Sequence, residues 1–171
     1  MPDAAPAHVL SLAARGAIAG AAGTVAMTVG EWVEQRYTHR PDSYVPAHTL
    51  GRLLHLRDPD ADRPARNWAM HLGTGVSVGV LRAVMARANL RGPAASFLHT
   101  WVRLSVDQTL ENATGAGAPP PSWPRRELVI DVAHKASYAF ATGLFADRLI
   151  APRPTSSRRR PFQKLRLPGF A

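Results

Sequence analysis

The sequence predicts an all-α fold: a four-helix bundle, expected to be transmembrane, with a short extra amphipathic helix in its first connection. Three observations carry this. Apolar content recurs at helical length in four stretches, 8–33, 67–88, 94–112 and 127–150, and helix breakers lie between them. Small residues sit inside those stretches at the spacing that lets two helices touch. At 171 residues the chain suits one core, assigned to residues 1–151, and a basic tail, 152–171.

The first stretch carries Gly16 and Gly20, then Gly23; the second carries Gly75 and Gly79; the fourth repeats the pattern as Ala139 and Gly143. In water a glycine inside a helix costs roughly 0.8 to 1 kcal/mol against alanine, which makes Gly16, Gly20, Gly23, Gly73, Gly75 and Gly79 a heavy burden for a soluble bundle. Between lipid-embedded helices the same residues form the packing interface. An alanine-rich soluble bundle is the alternative.

Between the first and second stretches the chain is polar, but Pro46 to His55 has the pattern of a short amphipathic helix with proline in its first turn. Asp58 to Asp62 follows as a turn; Arg63 stands where a calcium loop requires glycine and Ala69 where it requires glutamate, so that site is rejected. Gly92-Pro93 ends the second stretch, and Gly115 to Pro121 with Trp123-Pro124 ends the third. From Pro152 the composition falls to Pro, Ser and Arg, which cannot bury a core, so the tail is expected to be disordered when unbound. Its Arg158, Arg159, Arg160, Lys164 and Arg166 follow a candidate span and are expected to bind anionic lipid in preference to nucleic acid.

The net charge of +9 is almost wholly arginine, Lys135 and Lys164 being the only lysines. The absence of cysteine excludes disulfides, thiolate metal sites and cysteine nucleophiles. Met1-Pro2-Asp3 has no positive n-region and Arg15 interrupts the first apolar stretch early, which argues against a cleaved signal peptide.

Length is the difficulty for a membrane fold. The uncharged runs are fifteen residues in 16–30, fifteen in 67–81 and eleven in 136–146, where a span wants about twenty. Taking Arg15 and Arg82 as snorkelling helix-end anchors extends the first two. Arg82, Arg87 and Arg91 between the second and third stretches, with Arg148 and the tail arginines, favour cytoplasmic termini. Trp32, Tyr37, Trp68 and Trp123 would then form an aromatic belt at the opposite interface. Six arginines in the first connection, 34–66, count against that orientation.

Laying 71–81 on 134–144 aligns His71 with His134 and Leu81 with Leu144, a weak internal repeat that would make the bundle two related hairpins. The glycine-rich first stretch, with His71 and His134 each followed by small residues, resembles the small uncharacterised bacterial inner-membrane proteins of the YagU-like type. The resemblance covers roughly residues 15 to 149 and implies a multi-span helical protein of the inner membrane with no established activity. It supplies no catalytic residues, and the third stretch of this chain is more polar than it implies.

The candidate polar residues fall in two groups. His99, Arg103, Asp107 and Glu111 recur every four residues and so share one helical stripe, expected to be a solvated or interfacial face with Arg103 paired to Asp107. In a membrane the stripe would have to face the interior. Glu127, Asp131, His134, Lys135 and Tyr138 are neighbours on the fourth stretch, and Asp131 with His134 matches half of a bundle metal site. The second carboxylate-histidine pair is missing, so no metal or cofactor is expected, and His71 and His134 are expected to be hydrogen-bonded contacts between helices. No nucleophile elbow, phosphate loop or dinucleotide fingerprint is present, and no enzyme is expected. The first functional reading is a structural or accessory membrane protein, with a membrane protein partner or a second copy as its contact. The alternatives are transport or proton handling through the buried polar residues, and a soluble basic bundle binding nucleic acid.

Overall fold

The computed structural model describes residues 4–152, with side chains from Val9 onward. The tail residues Arg158, Arg159, Arg160, Lys164 and Arg166 lie outside the described residues. The fold is all-helical, with α1 (Ala4–Thr38), α2 (Val45–Leu53), α3 (Pro64–Arg87), α4 (Gly92–Thr114) and α5 (Arg125–Leu149). A single 3-10 turn at Pro120–Ser122 precedes α5, and there is no strand among the described residues.

Helix ends follow local chemistry. α1 continues five residues past the expected Val33 because no breaker occurs until His39, which turns left-handed at φ 54° ahead of Pro41. α2 occupies the first connection, its Ala47 N–H bonded to Asn67 Oδ1 at 3.0 Å while Asn67 Nδ2 donates to Ser43 O at 3.1 Å. Arg52 of α2 reaches Asp60 at 2.7 Å and holds that carboxyl below its ordinary pKa. α4 stops at Gly115, φ 70°, whose N–H bonds Asn112 O while the Ala116 N–H returns to Glu111 O at 2.9 Å, a glycine-terminated cap.

The long helices run antiparallel in chain order. α1 lies on α3 through glycine: a Cβ on Gly16 would stand 2.7 Å from Val80 Cα, and one on Gly20 would strike the Gly75 carbonyl. A Cβ on Gly79 would come within 2.5 Å of Gly20 Cα. On the other side of α1, Gly23 meets Tyr138 and Thr142 of α5, and Gly143 of α5 meets Ser96 of α4. All six glycines singled out for packing therefore stand where a neighbouring helix leaves no room for a side chain.

Many large apolar side chains of the long helices face outward, and several charged ones face inward. Val25, Val29, Trp32, Leu72, Leu81, Val84, Phe97, Leu98, Trp101, Phe140, Leu144 and Phe145 are exposed, whereas Arg82, His99, Arg103, Asp107 and Lys135 are buried. Arg15 and Arg36 bracket 20 residues of α1, Arg66 and Arg87 another 20 of α3, and Glu127 and Arg148 another 20 of α5, none of them an exposed charged side chain. α4 has no exposed charge anywhere along its length. Two helical segments, Val9–Thr38 and Pro64–Arg87, are long and apolar enough by composition to cross a membrane.

Candidate functional site

The stripe on α4 points inward. His99 and Arg103 are 0% and 1% exposed, and Asp107 is buried beside them. The expectation of a solvated or interfacial face is corrected here, and the reason lies on the opposite side of the same helix, where Phe97, Leu98 and Trp101 occupy the exterior. Arg103 Nε bonds Asp107 Oδ2 at 2.9 Å, the same oxygen lies 3.1 Å from Lys135 Nζ on α5, and Lys135 reaches Asp131 Oδ1 at 3.1 Å. A carboxylate thus sits between two buried cations, one of which has a second carboxylate. The Arg103 guanidinium also lies over the Tyr138 ring, 4.7 Å from its centroid, and the Tyr138 hydroxyl donates to Gly75 O at 2.6 Å. Its offset of 63 residues equals that between His71 and His134, so the two histidines occupy matching heights on α3 and α5.

One turn nearer the N-terminus of α4, His99 stacks on Tyr138, centroids 5.6 Å apart, with neither ring nitrogen hydrogen-bonded to a described residue. The end carrying the α3–α4 turn is then closed by a second ionic group. Arg82, fully buried, lies 2.9 Å from Asp147 Oδ1, and Asp147 Oδ2 accepts from the Gly92 N–H at 2.8 Å. Arg91 donates to the Asp147 and Ile150 carbonyls, and Arg15 to the Leu149 carbonyl at 3.0 Å. The expected role of Arg82 as a lipid-facing anchor is corrected by this geometry: a carboxylate on α5 draws its guanidinium inward, and Arg87 ends the helix instead.

The opposite end is open. A cavity of about 420 Å³ lies between the C-terminal part of α1, the start of α3, the end of α4 and the start of α5. Its charged wall is Glu31, Arg40, Glu111, Glu127, Asp131 and Lys135, and Met27, Ile130 and Trp123 give it apolar surface. His71 and His134 both line it, and neither ring makes a hydrogen bond with a described residue. The hydrogen bonds between helices expected of these two rings are thus not found among the described residues. Asp131, taken with His134 as half of a metal site, is held by Lys135. No group of three or more His, Asp or Glu side chains is arranged to hold a metal ion among the described residues.

The structure thus gathers His71, Asp131 and His134 around the cavity and His99, Arg103 and Asp107 in the interior below it. Lys135 and Tyr138, polar neighbours of Asp131 and His134 in the sequence, complete these groups together with Arg82, expected only as an anchor, and Asp147, for which the sequence offers no role. Lys135 carried a signal, as one of only two lysines in an arginine-rich chain and set among apolar and small residues. No family model, curated protein or solved structure matches the chain.

Proposed function

We propose that the protein is a small integral membrane bundle that handles a small solute or protons through its charged interior, in preference to a purely structural or accessory role. One observation carries the reading: charge lies inside the bundle and large apolar side chains lie outside it. A soluble domain rarely exposes a contiguous apolar surface around its whole circumference. Bands of about 20 residues at 1.5 Å each are about 30 Å tall, the thickness of a bilayer's hydrocarbon core. α4 and α5 fall short on average hydropathy because Arg103, Asp107, Asp131, Lys135 and Asp147 are counted with the lipid side although none of them is exposed.

Ionisable groups in a membrane interior are costly and mark pathways or ligand sites. Here they form a column from the cavity, through Asp107, Arg103 and His99, to Arg82 and Asp147 at the closed end. A bundle open at one end and sealed by ion pairs at the other suits a protein that admits a solute from one side. The bacterial inner membrane is its proposed location, with cytoplasmic termini and the tail on anionic lipid, on the strength of Arg87, Arg91, Arg148 and the tail arginines. Trp32, Trp68 and Trp123 then mark the cavity-side interface, where the Arg36 guanidinium covers Trp32 at 5.5 Å. Fractionation tests the reading. The protein is expected to stay in the membrane through carbonate and high-salt washes and to need detergent for extraction. Release by either wash would sink it and favour the soluble nucleic-acid-binding alternative.

A further inference from the structure

We propose that the cavity between α1, α3, α4 and α5 binds a small organic cation with an apolar or aromatic body, an inference that rests on the solute-handling reading above. The argument is a count of charges and their partners. Each cation of the wall is already held by two carboxylates: Arg40 by Glu34 at 3.1 Å and Glu31 at 3.6 Å, Lys135 by Asp107 and Asp131. Glu111 and Glu127 face the same space with no salt bridge to a described residue, the Glu111 carboxylate accepting a single side-chain hydrogen bond, from Gln108 Nε2 at 3.4 Å. Asp131 adds a carboxylate oxygen, Oδ2, that is buried and unpartnered although its Oδ1 is bound to Lys135. Apart from the His71 and His134 imidazoles, the cavity therefore has carboxylates left over and no unpaired cation among the described residues.

The rest of the wall decides what kind of cation. Trp123 is fixed by its indole N–H, which donates to Ala118 O at 2.7 Å, leaving the ring as a rigid apolar and cation-attracting surface. Met27 and Ile130 extend the apolar wall. A bare metal ion asks for several converging ligands, which the described residues do not offer. A cavity of about 420 Å³ lies within the roughly 300 to 1,000 Å³ of sites that take organic ligands.

The test is a titration of the purified full-length protein, in the detergent that extracts it, with tetraphenylphosphonium, repeated with tetraphenylborate, an anion of the same shape. Micelle-only heats are subtracted. The cation is expected to bind at least about tenfold tighter than the anion, because the carboxylates distinguish two ions that apolar surface cannot. Glu111→Gln and Glu127→Gln are each expected to weaken cation binding severalfold and the pair more than tenfold, while Glu111→Asp, which keeps the charge, retains most of it. Helical content and elution volume confirm that each variant is folded. Equal or tighter binding of tetraphenylborate, or a folded double variant with undiminished cation affinity, overturns the proposal. Failure of a detergent-extracted protein to bind the cation overturns this inference and leaves the membrane reading standing. Carbonate release overturns the membrane reading alone.

Discussion

Asp107 is the carboxylate shared by Arg103 and Lys135, and its neutralisation tests whether these buried charges act as a unit. In the native protein its Oδ2 lies 2.9 Å from Arg103 Nε and 3.1 Å from Lys135 Nζ. Asp107→Asn keeps the shape and removes the charge. Lys135 then retains Asp131, but Arg103, 1% exposed, retains no carboxylate and only the face of Tyr138. An uncompensated buried charge typically costs about 3 to 5 kcal/mol. At roughly 2 to 4 °C per kcal/mol for a chain of this size, the midpoint of thermal unfolding should fall by about 6 to 20 °C. Asp131→Asn should cost less, about 1.5 to 3 kcal/mol for one hydrogen bond to a charged group, because it serves only Lys135, which keeps Asp107.

The decisive variant removes both members of the pair. Arg103→Met with Asp107→Leu takes away the stranded guanidinium along with its partner, and replacement of a buried pair by apolar residues is often neutral or stabilising. The double variant should therefore recover at least half of the loss seen in Asp107→Asn. All variants are compared by circular dichroism during heating in one solvent. A double variant no better than the single, or Asp131→Asn as harmful as Asp107→Asn, would refute the account of Asp107 as the shared counter-ion.

Two further outcomes are expected. Gly73, with nothing within 4 Å of a built Cβ, should accept alanine with a gain of about 0.8 to 1 kcal/mol from helix propensity in aqueous surroundings and less in lipid. Gly79→Ala should lose about 1 to 3 kcal/mol, since its Cβ would enter the backbone of α1, and equal stability of the two variants in thermal unfolding would deny that α1 and α3 touch there. The His71 and His134 rings have no hydrogen-bond partner among the described residues to strand, so glutamine and alanine at either position should both change stability by less than about 1 kcal/mol in the same assay. A loss of several kcal/mol on alanine alone would restore their reading as interhelical contacts.

Local chemistry accounts for what the sequence made readable. Gly115 ends α4 through its own left-handed geometry, whereas Gly92-Pro93, expected to end the preceding helix, opens α4, and α3 has already stopped at Arg87 ahead of the left-handed Asn89. The GxxxG positions can be read as contacts because small side chains recur on one face. The end of α1 was not readable in that way. Glu31 and Glu34 look like the start of a polar loop, but neither breaks a helix, and Arg40 folds back onto both. The inward stripe was partly readable: a period of four residues says that His99, Arg103, Asp107 and Glu111 share a face but not which way it points. The answer lay in Phe97, Leu98 and Trp101 on the other face. Average hydropathy hides it by adding the two faces together. Arg82 offered no local signal, because its carboxylate is 65 positions away on another helix.

These pairings also explain how a bundle with so few large buried apolar side chains holds its register. Inside a bilayer there is no hydrophobic drive for one helix to leave lipid for another, so helices are placed by close packing and by polar contacts. The two devices divide the molecule. α1 is set against α3 by Gly16, Gly20, Gly75 and Gly79, where the backbones approach too closely for any slip of register to preserve the fit. α4 and α5 are set against each other chiefly by charge: Asp107 on Lys135 near the cavity, and the Gly92 N–H on Asp147 at the far end. Arg82 on Asp147 and Tyr138 on the Gly75 carbonyl then join α3 to α5, so α5 ties the glycine-packed half to the charged half. The buried charges therefore position the helices as well as lie beside the cavity. If the proposed solute- or proton-handling role holds, a change of charge state at Asp107 or Asp147 would act on the fit between the halves.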